Sequence, residues 1–106
     1  MASGILGTSN PSATTLTTLY TVPSAKLATL TLAAVNRAST PAYIRVAIST
    51  SGTPSASEYI EFDSILGGLG STLDRTGIVL DATKRVVVYA STADVAFNVY
   101  GFEEAA

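Results

Sequence analysis

The chain has 106 residues, enough for one domain with a single core, and a formal net charge of −2. It is 47% hydrophobic but only 13% charged, about half the ~25% of an ordinary soluble domain. It contains no histidine and no cysteine, which excludes Ser-His-Asp and Cys-His nucleophilic sites, thiolate metal sites and a disulfide framework.

The six basic residues, Lys26, Arg37, Arg45, Arg75, Lys84 and Arg85, are scattered, and only the last two are adjacent. Displacing counterions from phosphate needs a basic stripe, so no nucleic-acid partner is expected. No positive charge precedes Lys26, and the apolar-leaning run over 27–36 is interrupted by Thr29 and Thr31. Neither a secretory leader nor a membrane span is expected, and synthesis and folding in a cytoplasm follow. Mean hydropathy is +0.39. A surface this poor in charge is weakly solvated, and such surfaces are commonly covered by another subunit, a shell or a ligand. A compact monomer coated with Ser and Thr is the plainer alternative.

Residues 1–14 are rich in Gly, Ser, Thr and Asn and include Pro11. They read as an N-terminal arm outside the folded domain, either disordered or ordered only on assembly, with the domain proper over 15–106. Residues 16–22 are β-favouring, with Leu16, Thr18, Tyr20 and Val22 on one face. Pro23 ends this strand because it cannot donate to a ladder, and 23–25 form a tight turn. Over 26–36 the alternation of Ala28, Leu30, Leu32 and Ala34 with Thr29, Thr31 and Ala33 predicts a longer, half-buried strand.

A turn over 38–41 leads to the cleanest strand, 43–49, with Ile44, Val46 and Ile48 inward and Tyr43, Arg45 and Ala47 outward. The polar stretch 50–57 is a projecting loop. Residues 58–63 alternate with Ile60 and Phe62 inward and Tyr59, Glu61 and Asp63 outward. Gly67, Gly68 and Gly70 make 64–71 a loop whose tips are Leu66 and Leu69. Gly77 inside the strand 72–80 predicts a bulge or a close backbone approach. Turns at 81–84 and 92–94 then separate the strands 85–91 and 95–102. In the first, Val86, Val88 and Ala90 oppose Arg85, Val87 and Tyr89. In the second, Val95, Phe97 and Val99 oppose Ala96, Asn98 and Tyr100. The total of about eight short strands without a helical period predicts an all-β chain: one antiparallel β-sandwich, jelly-roll-like. Few lysines or glutamates guard its edges, so edge strands are expected to be satisfied by subunit contact.

Little in the chain points to a reaction. Glu61 and Asp63 share a predicted strand face and could in principle serve as an acid–base pair or ligate Ca²⁺, but strand patterning alone accounts for them. Asp81 and Asp94 read as turn formers. The glycine-rich stretch lacks the Lys-Ser/Thr and the helix that a phosphate cradle needs. No enzyme activity, cofactor or metal is expected. The outward tyrosines Tyr43, Tyr59, Tyr89 and Tyr100 suit either a sugar platform or subunit packing. The absence of tryptophan favours packing. With the apolar tips Leu66 and Leu69 they are the candidate interface residues.

The run Leu19-Tyr20-Thr21-Val22-Pro23, followed by a Lys-initiated Ala/Thr/Leu strand, resembles the opening of small β-sandwich virion proteins of tailed bacteriophages. So do Glu58-Tyr59-Ile60-Glu61-Phe62-Asp63, Thr76-Gly77-Ile78-Val79-Leu80-Asp81 and Val99-Tyr100-Gly101-Phe102-Glu103 further on. The similarity spans roughly 16–103 and is structural in character. Related sequences carry glycine where Ala25 stands, which leaves the turn type open. The resemblance implies a non-enzymatic virion protein, first of all a capsid decoration or cement protein on the outer surface of the shell. Its implied partners are the major capsid protein and copies of itself, with a trimer on a threefold position as the suggested oligomer. It offers no catalytic residues. Alternative readings are a tail, baseplate or fibre component, or a surface module that binds a host glycan through Tyr43 and Tyr59. A hydrolase ranks last.

Overall fold

A computed structural model describes residues 3–106. Eight strands follow one another: β1 (Ser3–Ser9), β2 (Thr17–Thr21), β3 (Lys26–Asn36), β4 (Ala42–Ser49), β5 (Tyr59–Leu66), β6 (Thr72–Leu80), β7 (Arg85–Ala90) and β8 (Val95–Ala105). A single 3₁₀ turn, Ala56–Glu58, precedes β5. All strand pairs are antiparallel, and they form two four-stranded sheets ordered β1-β8-β3-β6 and β2-β7-β4-β5. The first strand pairs with the last, the second with the seventh, the third with the sixth and the fourth with the fifth. The chain is thus a long two-stranded ribbon folded back at the 50–58 loop and rolled until β3 meets β8 and β4 meets β7. This is the jelly-roll form of the β-sandwich.

The core lies between the sheets and is built from the alternating positions of the inner strands. Leu30, Leu32, Phe97 and Val99 come from one sheet and Ile44, Val46, Val86 and Val88 from the other, all at most 1% exposed. Each such side chain contributes roughly 1.5–3 kcal/mol by leaving water. Of the polar bonds that link the sheets, two pair charged or hydroxyl side chains near the open sides. The Tyr20 hydroxyl of β2 donates to the Glu103 carboxylate of β8, and Arg75 Nη1 of β6 donates to Glu61 Oε2 of β5 at 2.6 Å. Burial, then hydrogen bonding to the carboxylate and its charge, push the Tyr20 hydroxyl well above the ordinary tyrosine range.

Register is unbroken in the two inner pairs, β3–β8 and β4–β7. It shifts in all four pairs that include an edge strand. In each case the extra residue lies on the edge strand: between Ile5 and Gly7, between Thr18 and Tyr20, between Arg75 and Ile78, and twice in β5. The bulge in β6 is at Gly77, as the glycine predicts, with φ of +72°.

Two expectations are corrected by this register. Residues 3–9 of the supposed arm are β1, hydrogen-bonded to β8 of the same chain, so this part of the arm belongs to the sandwich; Met1 and Ala2 lie outside the described residues. Phe62 faces outward and is 57% exposed, because the two extra residues of β5 and the left-handed backbone of Asp63 (φ +51°) break the alternation. Each edge strand carries a bulge, and bulges twist an edge.

The turn after β2 carries the chain from one sheet to the other. Ala25 adopts φ of +60° there, a conformation that favours glycine.

Candidate interaction surface

Among the described residues there is no enclosed pocket and no cluster of His, Cys, Asp and Glu able to hold a metal ion. The candidate sites are therefore surfaces, and three regions carry the exposed large hydrophobic side chains other than Leu16, which precedes β2.

The first is a loop tip. Asn36 ends β3 fully buried, and each of its polar groups is used. Its Nδ2 donates to the carbonyls of Thr40 (2.8 Å) and Leu66 (3.1 Å), and its Oδ1 accepts from Ala38 N–H (3.0 Å). Its own N–H donates to Ser71 O and its carbonyl accepts from Gly70 N–H. The β3–β4 and β5–β6 loops are thereby locked together. Gly68 packs so closely on Ser39 that a Cβ would come within 2.4 Å of its carbonyl. Leu69, with φ of +62°, projects from this clamp 85% exposed, while its N–H donates to Ala38 O at 2.7 Å. Leu66, the other supposed tip, is corrected: it is the last residue of β5, 3% exposed in the core. The strand runs three residues beyond Asp63, because the bulges use up chain without ending the ladder.

The second is the outer face of the β2-β7-β4-β5 sheet, which gathers Tyr43, Tyr59 and Tyr89. Register places Tyr43 beside Ile65, Arg45 beside Tyr89, and Ala47 between Val87 and Tyr59. The Arg45 guanidinium lies 4.2 Å from the Phe62 ring centroid and 4.5 Å from that of Tyr89. Its Nε donates to Asp63 Oδ1 at 2.6 Å, which holds its already high proton affinity higher still. Tyr59 meets Phe62 edge-on, with centroids 5.0 Å apart. Beneath this layer Ala47 and Val87 are buried although they lie on an outer face. Much of the aromatic surface is thus spent on intramolecular stacking. Tyr43 (51%), Phe62 (57%) and Ile65 (67%) still reach solvent.

The third is the outer face of the β1-β8-β3-β6 sheet. One row across it reads Ser3, Phe102, Thr29, Val79, and the next Ile5, Tyr100, Thr31. Ile5 (72%), Val79 (58%), Tyr100 (42%) and Phe102 (41%) stand out of it, and neither row contains a charge. The charged side chains of this face are two carboxylates in the rows that flank these on either side, Asp74 on the edge strand β6 beside Ala33 and Glu104 on β8 beside Leu27. Of the six candidate interface residues, Tyr100 alone is here. The structure therefore divides them among two opposite faces, a loop tip and the core.

Phe102 was accessible to sequence reasoning, since it continues the outward alternation of Asn98 and Tyr100. Ile5 was not, because a lone isoleucine among Gly, Ser and Thr declares no strand until β8 is there to pair with it.

Comparison of the chain with protein-family models, with curated proteins and with solved structures finds no match.

Proposed function

We propose that this chain is a non-enzymatic structural subunit of a tailed-phage virion, decorating or cementing the outside of the capsid shell. The observation that carries the reading is the distribution of its exposed apolar side chains. They lie on both outer sheet faces and on a clamped loop tip, in a domain with few surface charges. Apolar area of this kind repays burial at about 25 cal/mol per Å². Many copies, each burying a modest joint against the major capsid protein or against each other, would stiffen a shell without any single strong contact. The virion setting is what the sequence resemblance over roughly 16–103 implies, and the bulged edges favour contact through faces and tips over strand addition.

The test is to disrupt phage particles, separate heads from tails by sedimentation, and quantify the chain in each fraction by mass spectrometry. Many copies per head are expected. A few copies confined to the tail fraction would move the protein to a tail, baseplate or fibre role, and absence from both fractions would remove it from the virion.

A further inference from the structure

We infer that the outer face of the β1-β8-β3-β6 sheet is the docking site for a second copy of this chain, packed face to face about a twofold axis. The inference deepens the assembly reading and rests on it only for the setting in which pairing would matter.

The first argument is shape. On β8, Tyr100 and Phe102 form a ridge, and beside it on β3 the short side chains of Thr29 and Thr31 form a trough. A twofold axis running along the sheet between these strands would lay the ridge of each copy over the trough of the other. A self-complementary patch of this kind is what an isologous interface requires.

The second argument is charge. The two rows that carry Ile5, Phe102, Tyr100 and Val79 contain no charged side chain. Within those rows a copy meets no like charge, and none marks them for a partner of opposite sign; the face's two carboxylates, Asp74 and Glu104, lie in the rows outside them.

The third argument is area. Four strands about 4.8 Å apart, of 7, 11, 11 and 9 residues at about 3.3 Å per residue, give a face of roughly 600 Å². A standard interface takes about 800 Å² from each partner. Aligned sheets pack about 10 Å apart with side chains interdigitated, the same geometry that already joins the two sheets within the chain.

The remaining surfaces suit self-pairing less well. Each edge strand is bulged, and the opposite face has its guanidinium and rings engaged with one another.

The test is analytical ultracentrifugation of the purified full chain from about 1 to 100 μM, with hydroxyl-radical footprinting at both ends of that range. A dimer of twice 10.9 kDa is expected at the upper end. Tyr100 and Phe102 should be protected there, and Tyr43 and Phe62 should not. Ile5→Lys and Val79→Lys, each at an exposed position, should weaken the dimer at least tenfold, since each buries two charges in an apolar joint. Ile65→Lys on the other face should leave it unchanged. A monomer throughout the range, a trimer, or protection of Tyr43 and Phe62 instead would overturn the inference. Footprinting needs no variant, so it decides even if a lysine substitution unfolds the chain. A monomer found in quantity on phage heads would end the pairing and leave the virion reading standing; a dimer absent from particles would do the reverse.

Discussion

The β3–β8 and β4–β7 ladders run without interruption, whereas each of the four ladders that brings in an edge strand contains at least one extra residue. The difference follows from what surrounds each strand. An inner strand has a neighbour on both sides and one face in the core. A slip of one residue would turn Leu30, Leu32 and Ala34, or Val95, Phe97 and Val99, into solvent. An edge strand has one free side, and an extra residue there leaves only a group that water can satisfy. Irregularity at an edge is thus tolerated, and it also has a use. Where other proteins blunt an edge with lysine or glutamate, this chain, with few charges to place, does it with backbone geometry.

The contrast is sharpest at the centre of the core. Phe97 sits on β8, fully buried between the sheets. Phe97→Ala is expected to lower stability by about 3–5 kcal/mol, read by urea denaturation. The truncation of Phe62 on the edge strand β5, equally large but mostly exposed, should cost far less, and equal losses would break the distinction.

A smaller effect is expected from the Tyr20–Glu103 link between the sheets. Tyr20→Phe leaves the buried Glu103 carboxylate without its tyrosine donor and should cost roughly 1–3 kcal/mol near neutral pH. Because folding raises the proton affinity of Tyr20, its contribution is complete below the ordinary tyrosine range near pH 10 and is lost as pH rises beyond it. Denaturation curves of the two proteins should therefore converge above about pH 10; a constant gap would show that the hydroxyl does not titrate with folding.

Smaller again is the surface pair Arg45–Asp63. Arg45 is on an inner strand but points to solvent, and Arg45→Ala should cost about 1 kcal/mol or less despite its two ring contacts. A salt titration should shrink that difference further.

Ala25→Gly should act in the opposite direction. Ala25 holds a left-handed backbone at a cost of about 1–2 kcal/mol, partly offset by the greater freedom of glycine in the unfolded chain. A net gain of up to about 1 kcal/mol is expected, read as a raised denaturation midpoint.

The same contrast governs how much of the molecule is legible in its sequence. Strict alternation identifies β3, β4, β7 and β8 and orients nearly all their side chains, because nothing interrupts their period. It fails on β5, where two extra residues turn Phe62 outward and take Leu66 into the core, and on β1, whose Gly- and Ser-rich sequence becomes a strand only against β8. The Tyr20–Glu103 bond and the Asn36 clamp join residues far apart in the chain and leave no local mark. Of the interface candidates, alternation finds the outward tyrosines. It cannot show that Tyr89 and Tyr59 are engaged in the cluster around Arg45 and Phe62, nor that Tyr100 faces the opposite way with Ile5, Val79 and Phe102.

The most direct measurement is native-state amide hydrogen exchange, resolved by residue, on the full chain. Amides in the β3–β8 and β4–β7 ladders should exchange only through global unfolding, with a single shared opening free energy. Those flanking the bulges in β1, β2, β5 and β6 should exchange through local openings at lower free energy. Uniform protection across inner and edge strands, or openings that begin in β3 or β8, would contradict the division of the sandwich into a regular centre and bulged edges.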